Sequence, residues 1–324
     1  MKRLLLAATA VAAVAITGCA AGSTPTLPSA PAPSSSSAPS ASPTPSRAGC
    51  NDNNSTRVES YAPDGALPAP GELRDGTTMG AIKKRGKLIV GVSADNLLFG
   101  FRNPITGRLE GFDIDMVNEV AKSIFGPDLT GRIEYRVENF AQRIPDLVSK
   151  RVDLVADIMT INCARWSQIA FSTEYFAAGQ HLLVRMDSPY KHTADLAGKT
   201  VCAARGSSGE KNLTKIPNVK PVRVDNISDC MVEFQQGAAE AIISDNTVVN
   251  GFAAQDPYAK VLDDKITDEP YGLGIPADHV DFVKFVNAVL ERMRTDGTWA
   301  AIYRKWLPDK PPPPPAAVYG RAQP

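Results

Sequence analysis

The chain has 324 residues, and about 250 of them remain once an apolar start and a Pro/Ser-rich stretch are set aside, enough for one large or two small domains. Its 35 basic residues balance its 35 acidic ones, which excludes the basic surface typical of nucleic-acid binding. Its three histidines give no cluster for a metal site, so neither a metal nor a cofactor is expected.

The first 18 residues predict an export signal. Two basic residues precede an apolar run over residues 4–16, which is too short to span a bilayer and is followed by the small residues that a signal peptidase needs. Residues 16–19 are Ile-Thr-Gly-Cys and resemble a bacterial lipoprotein box. This resemblance implies acylation of the Cys19 thiol, with palmitate among the acyl groups. An ordinary secretory signal beside an incidental thiol is the alternative.

Residues 19–56 predict a tether between the membrane and the folded part. Residues 20–46 are almost entirely Ala, Ser, Pro, Thr and Gly. This composition buries too little apolar surface to offset the entropy of ordering, and its prolines hold the chain extended. No other apolar run reaches the roughly 20 residues of a membrane helix. A lipid on Cys19 is therefore expected to hold the protein on the extracytoplasmic face of the cell membrane.

The five cysteines indicate two disulfides and one lipid-bearing thiol. Exported chains pair their thiols, and setting Cys19 aside leaves an even number. Cys202 lies in a predicted strand and Cys230 opens a predicted helix in the same region, so we expect these two to pair. Cys50 and Cys163 then pair by elimination. Four buried free thiols are the alternative.

Between residues 80 and 307, short β-branched or apolar runs alternate with amphipathic segments. Predicted strands cover residues 87–92, 132–137, 152–159, 181–185, 199–203, 219–224 and 240–244. Predicted helices cover residues 111–121, 140–150, 165–169, a segment after 209, 229–236, 280–294 and 297–307. This alternation predicts an α/β fold whose parallel sheets carry helices on their faces.

A run of prolines follows at residues 311–315. Polyproline serves in some proteins as a docking segment, but a chain end of this composition is typically solvated. We therefore predict a disordered tail over residues 310–324.

Several motifs stand in order along this region. They are Lys87-Leu88-Ile89-Val90-Gly91-Val92, Gly111-Phe112-Asp113-Ile114-Asp115, Val152-Asp153-Leu154, Phe171-Ser172, Tyr175-Phe176, and Asp296-Gly297-Thr298-Trp299 with Trp306. Together they resemble the amino-acid-binding members of the solute-binding proteins, family 3, which serve ABC importers. The segments Phe101-Arg102-Asn103-Pro104 and Gln180-His181-Leu182-Leu183-Val184-Arg185 further resemble the glutamate- and glutamine-binding lipoproteins of actinobacteria.

The resemblance implies a two-lobed periplasmic-binding-protein type II fold with two crossover hinge strands, at residues 175–179 and 267–271. Lobe 1 is expected over residues 57–174 plus 272–309, and lobe 2 over residues 180–266. Ligands of open α/β sheets bind at the carboxyl ends of the strands. In this fold the two lobes are expected to close around the ligand by a hinge motion.

A free amino acid carries a carboxylate and an ammonium on one carbon, so its capture needs a cation and an anion that face each other. Arg165 follows the predicted strand 152–159 and suits the carboxylate, because a guanidinium donates two parallel hydrogen bonds. The resemblance implies that Thr160 also binds the carboxylate and that Ile158 offers its backbone carbonyl to the ammonium. A surface arginine that begins a helix is the alternative for Arg165.

Asp245 directly follows the predicted strand 240–244, the mirror position in the other lobe. The resemblance implies that its carboxylate pairs with the ligand ammonium, whereas a simple helix cap is the alternative. A Gly-rich turn leads to Ser207 and Ser208. Its backbone N–H groups are expected to complete the carboxylate site, unless the turn is purely structural.

The ligand side chain is expected to meet residues of both lobes, namely Ser93, Asn96, Arg102, Phe140 and Arg205. Phe140 matches an aromatic wall of the family, whereas the residues that read a side-chain amide in glutamine-binding relatives are replaced here. The expected order of ligands is glutamate, aspartate, then glutamine and asparagine. This order requires Arg102 or Arg205 to reach a buried carboxylate, and each is otherwise a solvated surface residue.

The resemblance implies a monomeric receptor that delivers an amino acid to an ABC permease. An amino-acid sensor that reports to a membrane signalling protein is the alternative, because lobe closure creates a shape that either partner can detect. We do not expect an enzyme, since the expected cleft offers no acid/base pair and no nucleophile with a base.

Overall fold

The computed structural model describes residues 59–322. The predicted signal, the predicted tether, Cys19 and Cys50 lie outside the described residues. Within residues 59–322, no helix has the length and apolar character needed to cross a membrane.

The strands of the described part form two larger sheets and one small sheet. The strands are β1 (Leu88–Val92), β2 (Asp95–Asn96), β3 (Gly100–Arg102), β4 (Leu109–Glu110), β5 (Ile133–Val137), β6 (Leu154–Ala156), β7 (Ile169–Phe171), β8 (Phe176–Arg185), β9 (Thr200–Ala204), β10 (Lys220–Val224), β11 (Ala241–Asp245), β12 (Ala259–Val261), β13 (Thr267–Tyr271) and β14 (Gly274–Pro276).

In the described part of the chain, helices follow half of these strands. They are α1 (Thr78–Arg85), α2 (Phe112–Phe125), α3 (Arg143–Val148), α4 (Cys163–Trp166), α5 (Ser208–Asn212), α6 (Asp229–Gln235), α7 (Asn246–Gln255), α8 (Val280–Thr295) and α9 (Thr298–Trp306), with 3-10 turns at Pro70–Glu72, Thr193–Leu196 and Leu213–Lys215.

The first larger sheet has the strand order β5-β1-β6-β14-β7 and defines lobe 1. Strand β1 pairs in parallel with both β5 and β6, whereas β14 pairs antiparallel with β6 and β7. The carboxyl ends of β1, β5 and β6 therefore meet at one edge. The predicted strand 152–159 is shorter than expected, because the chain leaves the sheet after Ala156 and positive φ follows at Ile158.

The small sheet has the order β2-β3-β4 and lies in the chain between β1 and α2. Sequence periodicity did not predict it, because its strands are only two or three residues long and show no repeat.

The second larger sheet has the order β10-β9-β11-β8-β12, with β13 also paired to β8, and defines lobe 2. Every residue of β11 is buried. Ile242 packs into one apolar cluster and Ile243 into another, because successive side chains of a strand point to opposite faces. The sheet is therefore covered on both faces, as parallel strands require.

The chain passes between the lobes twice. It enters the lobe 2 sheet through β8 and returns through β13 to β14, and these two crossing strands pair antiparallel from Phe176↔Tyr271 to Gln180↔Thr267. The paired crossing strands and the two sheets confirm the predicted two-lobed α/β fold.

The predicted Cys202–Cys230 disulfide is present and joins β9 to α6 in lobe 2. Cys163 is also disulfide-bonded. Because Cys50 lies outside the described residues, the pairing of Cys50 with Cys163 stays a prediction.

The helix predicted at residues 165–169 begins and ends earlier, at Cys163 and Trp166. Asn162 caps it, since its side-chain oxygen accepts a hydrogen bond from the Arg165 backbone N–H at 3.0 Å. Ile169 instead begins β7.

The C-terminal segment packs on lobe 1 in place of the predicted solvated end. Tyr319 forms a parallel bridge with Ser60, and its hydroxyl donates to Glu291 at 2.6 Å. The Arg294 side chain donates to the Pro315 carbonyl at 2.8 Å. Arg321 lies 3.5 Å over the Trp166 ring. Residues 310–322 thus reach α4, the helix that carries Arg165.

Candidate functional site

Arg165 lies buried in lobe 1 at the edge where the parallel strands end. One guanidinium nitrogen, Nη1, donates to the Thr160 carbonyl at 2.6 Å. The other, Nη2, donates to the Gly206 carbonyl of lobe 2 at 3.3 Å. The guanidinium therefore faces the opposite lobe.

Thr160 is buried beside Arg165, and its hydroxyl has polar neighbours on crossing strand β13 and on lobe 2. Its hydroxyl donates to Glu269 Oε2 at 2.6 Å and lies 3.5 Å from the Ser208 hydroxyl of lobe 2. Ser207 caps α5 by accepting from the Glu210 backbone N–H at 2.9 Å. The structure therefore brings together the residues that the sequence predicted around a ligand carboxylate.

Asp245 is buried at the end of β11, where it also precedes α7 as its N-cap residue. Its two oxygens accept from different elements: Oδ1 from the Gln180 side-chain amide at 3.3 Å, and Oδ2 from the Tyr271 hydroxyl at 2.8 Å. No side-chain cap bond to α7 accompanies this position. The capping alternative therefore does not account for the carboxylate, which is held by crossing strands β8 and β13.

The Arg165 guanidinium and the Asp245 carboxyl affect each other's pKa. Burial, and then the nearby Glu269 carboxylate, raise the pKa of Asp245 to about 8, while Tyr271 and Arg165 act in the opposite direction. Burial and the neighbouring Arg143 lower the pKa of Arg165 to about 9, with Glu269 and Asp245 opposing them. At neutral pH the site holds a charged guanidinium opposite a carboxyl that ionises readily if a cation arrives.

Ile158 adopts a φ of +39°, which is strained for a β-branched residue. Its backbone N–H donates to Asp113 Oδ2 at 2.8 Å, and the Tyr175 hydroxyl donates to Asp113 Oδ1 at 2.7 Å. Asp113 thereby fixes the backbone at the position whose carbonyl was predicted to meet the ammonium. The sequence placed Asp113 only in the first turn of a helix and gave it no role at the site.

Arg143 is a second buried guanidinium that the sequence did not single out. It stacks 4.3 Å from the Phe140 ring centroid, and its side chain donates to the carbonyls of Phe140 at 3.1 Å and Asp157 at 2.8 Å. It also reaches the Gly206 carbonyl at 3.5 Å. Asp157 precedes Ile158 at the strand end, so the strand-end rule that selected Arg165 also applies to Asp157.

Ser93 and Asn96 are buried at the end of β1 and in β2. The Ser93 hydroxyl donates to Asp95 at 2.7 Å. The Asn96 amide donates to Asp157 Oδ1 at 3.4 Å. Both predicted residues therefore lie at the same edge of lobe 1 as Phe140.

Arg102 and Arg205 do not join this buried group. Arg102 is exposed and donates to the Gly107 carbonyl at 2.8 Å. Arg205 pairs with Asp225 at 3.2 Å, and its side chain keeps 51% of its accessible surface. Because neither guanidinium is buried with the site, the reason for ranking glutamate first is lost.

The lobes touch where Arg143 and Arg165 of lobe 1 donate to the Gly206 carbonyl, in the loop before α5. Gly206 has a φ of +74°, and a Cβ there would lie 2.7 Å from the Ala141 Cα of lobe 1. Only glycine tolerates both this positive φ and the close approach of the Ala141 backbone. At another point of contact, the Ser228 hydroxyl of lobe 2 donates to Asp95 at 2.7 Å.

The arrangement suits the capture of a zwitterion between two lobes. Arg165 offers a cation from lobe 1, and Asp245 offers a carboxyl from lobe 2 that becomes an anion when an ammonium arrives. Among residues 59–322, no group of three His, Cys, Asp or Glu side chains is placed to hold a metal ion.

Comparison with known proteins agrees with this geometry. The family model of the bacterial extracellular solute-binding proteins, family 3, matches residues 88–309. The glutamine-binding protein of Geobacillus stearothermophilus is 40% identical over 240 residues, 73% of this chain and 89% of that protein. The glutamate-binding protein GluB of Corynebacterium glutamicum is 32% identical over 246 residues, 72% of this chain and 82% of that protein.

Among solved structures, the crystal structure of a mutant of ArgBP from T. maritima superposes with a TM-score of 0.67 and 32% identity, covering 71% of this chain and 99% of that one. The fold predicted from the motifs is thus confirmed by sequence and structural relatives, which are solute-binding proteins and not enzymes. The chain belongs to the bacterial extracellular solute-binding proteins, family 3.

Proposed function

We propose that the protein captures a free amino acid outside the cytoplasm and delivers it to an ABC importer. The observation that carries this proposal is a buried guanidinium, Arg165 in lobe 1, together with a buried carboxyl, Asp245 in lobe 2, which ionises when an ammonium arrives. A guanidinium binds the α-carboxylate through two parallel hydrogen bonds, and a buried carboxylate compensates the ammonium. The named relatives support an amino acid as the ligand, since one is a glutamine-binding and one a glutamate-binding protein.

In this proposal, neighbouring polar groups add hydrogen bonds to both charged ends of the amino acid. Thr160 and the turn leading to Ser207 and Ser208 add hydrogen-bond donors to the carboxylate, and the Ile158 carbonyl accepts from the ammonium. Phe140 forms a wall for the side chain. Glutamate, aspartate, glutamine and asparagine remain the ligands to be assayed first, because relatives named for different amino acids share the scaffold.

Isothermal titration calorimetry of the purified full-length protein against the twenty amino acids tests the proposal. We expect at least one amino acid to bind with micromolar or tighter affinity. Recovery of that amino acid unchanged after incubation separates binding from catalysis. A protein that binds none of the twenty, while showing a cooperative unfolding transition, would rule the proposal out.

We further propose that Cys19 is lipidated and that residues 19–56 tether the binding lobes to the cell membrane. The support is the sequence alone: a lipoprotein-type box followed by an uncharged Pro/Ser-rich stretch. Metabolic labelling with palmitate should mark the parent protein and leave Cys19→Ser unlabelled. Equal labelling of both proteins would contradict the assignment.

A further inference from the structure

A buried carboxylate on crossing strand β13, Glu269, contacts the candidate site and is 2% exposed. Its Oε2 accepts from the Thr160 hydroxyl at 2.6 Å. Its Oε1 accepts from the Thr267 hydroxyl at 2.6 Å and from the Asn212 amide at 3.5 Å. Hydrogen bonds to the charged form of a carboxyl favour that form, so these three donors support a negative charge on Glu269.

The backbone of β13 holds Glu269 against the carboxylate end of the site. The Ile161 N–H donates to the Pro270 carbonyl at 2.7 Å, and Thr160 forms an antiparallel bridge with Tyr271. The loop that carries Thr160 is therefore paired with the crossing strand. The position of Glu269 beside this loop follows from that pairing.

The bond to Glu269 decides what the Thr160 side chain can do. A threonine hydroxyl has one hydrogen, and that of Thr160 is donated to Glu269. While this bond lasts, the Thr160 hydroxyl cannot donate to the carboxylate of an amino acid, and the backbone N–H is the donor that Thr160 can offer. The Thr160 side chain instead connects the carboxylate end of the site to the hinge.

The same network of hydrogen bonds reaches Asp245 at the ammonium end. The Asn212 amide also donates to the Gln180 side-chain oxygen at 2.5 Å, and the Gln180 amide donates to Asp245 at 3.3 Å. Tyr271 lies two residues after Glu269, on the same face of β13, and its hydroxyl donates to Asp245 at 2.8 Å. Glu269 is thus connected to both ends of the site.

Glu269 also acts on both ends through its charge. Burial is the main cause that lowers the pKa of Arg165 to about 9, and Glu269 opposes this shift. Burial, and then Glu269, raise the pKa of Asp245 to about 8. The groups that face Asp245 are Glu269 and Tyr271 of β13, Arg165 of α4 and Gln180 of β8. One carboxylate therefore supports the guanidinium and disfavours ionisation of the other carboxyl.

We propose that Glu269 is a positioning residue of the binding site: it balances the charge of Arg165 before an amino acid binds, so that Asp245 becomes an anion only when an ammonium arrives. A buried guanidinium without a counter-charge is costly, and so is a second buried carboxylate without a cation. This inference rests on the proposed function and deepens it, because Glu269 acts through Arg165, Thr160 and Asp245 without itself touching the amino acid.

The pH dependence of affinity tests the inference, because a purely structural residue would change affinity by the same factor at every pH. The full-length parent and Glu269→Gln are titrated by calorimetry at pH 6 and pH 8 with the amino acid, among the twenty, that binds the parent tightest. Without the Glu269 charge, Asp245 ionises at a lower pH. The gain in affinity from pH 6 to pH 8 should therefore be at least about fivefold smaller in the variant than in the parent.

Two further variants separate the charge from other effects. Asp268→Asn is the matched control, because Asp268 is the neighbouring residue of β13 but is exposed and pairs with Lys265 at 2.5 Å. It should keep the gain of the parent. Glu269→Asp retains the charge and should keep most of the gain, even where affinity falls at both pH values.

Circular dichroism checks that each variant is folded. Should Glu269→Gln not fold, Thr267→Val replaces it, since it removes one donor from the carboxylate, and it should reduce the gain at least about twofold. A gain equal to that of the parent, or loss of all binding by the folded Glu269→Gln variant, would overturn the inference and leave the proposed function standing. Failure of the parent to bind any of the twenty amino acids would remove both.

Discussion

The charge pair Arg165 and Asp245 illustrates how burial changes what a residue can do. On the surface, a guanidinium and a carboxylate contribute little to binding because water and salt screen them. Here both are buried, and each is oriented by neutral or backbone partners: the Thr160 and Gly206 carbonyls for Arg165, and Tyr271 with Gln180 for Asp245. The guanidinium and the carboxyl are thus positioned to meet the carboxylate and the ammonium of a zwitterion.

Arg165→Ala should abolish measurable amino-acid binding, a loss of at least about 100-fold, because the ligand carboxylate would be buried without its cation. Arg165→Lys should give an intermediate loss, since an ammonium keeps the charge but not the two parallel hydrogen bonds. Calorimetry with the best-binding amino acid measures both effects, and circular dichroism checks that each variant is folded. Arg102→Ala, at an exposed arginine, is the control, and binding by Arg165→Ala at the parent affinity would contradict the assigned role.

Ligand binding should release protons near neutral pH. Burial raises the pKa of Asp245 to about 8 in the empty site, so much of this carboxyl is protonated at pH 7, whereas a bound ammonium favours its ionised form. Affinity should therefore increase from pH 6 to pH 8, by up to about tenfold per pH unit. Titrations at pH 7 in two buffers of different ionisation enthalpy measure the released protons; identical heats in both buffers would argue against this linkage.

At the scale of elements, most of the longer strands and helices followed from the sequence, because their apolar residues repeat over five or more positions, but α1 and α7 were not among the predicted helices. Strand β1 and helix α8 begin within one residue of their predicted starts. The small sheet, β14 and the packed tail did not follow, since short strands and prolines carry no periodic signal. The tail is held by contacts with residues distant in the sequence: the Pro315 carbonyl with Arg294, Tyr319 with Glu291, and Arg321 with Trp166.

Some residues of the candidate site were predicted from the sequence and others were not. Arg165 and Asp245 follow predicted strand ends, where a general rule about open sheets places ligands. The role expected of Thr160 came from the family resemblance. Arg143 and Asp113 belong to the first turns of helices, a place that usually faces solvent, and their burial depends on contacts with Phe140, Tyr175 and the opposite lobe. A local sequence pattern carries no information about contacts between residues far apart in the chain, so it could not predict that these two side chains are buried.

Removal of residues 311–324 should loosen the start of lobe 1 while leaving ligand affinity within about twofold. The deletion removes the bridge from Tyr319 to Ser60 and the Arg321 contact with Trp166. We expect faster hydrogen exchange at residues 59–61 and a melting temperature lower by about 2–4 °C. Deletion of residues 323–324 alone is the control, and unchanged exchange at residues 59–61 would show that the tail does not hold this segment.

For the whole molecule, the two paired crossing strands connect lobes that meet at a few points. The contacts between lobes include Arg143 and Arg165 to Gly206, and Asp95 to Ser228. The relative position of the lobes therefore depends on polar contacts that a ligand can strengthen, which is typical of hinge closure around a ligand.

Gly206→Ala should weaken amino-acid binding by about tenfold or more, because the added Cβ would meet Ala141 and hold the lobes apart. Gly198→Ala is a matched control: Gly198 has a similar φ of +73° but no atom within 4 Å of its added Cβ. Calorimetry measures affinity, and small-angle scattering measures compaction on ligand addition. Equal effects of the two substitutions would attribute the loss to backbone strain instead of blocked closure.

The most direct test of the account is a crystal structure of the protein with its best-binding amino acid. We predict the α-carboxylate within about 3 Å of the Arg165 guanidinium, and the ammonium at a similar distance from Asp245. An amino acid bound elsewhere, or bound with either charged group away from these two residues, would contradict the central claim.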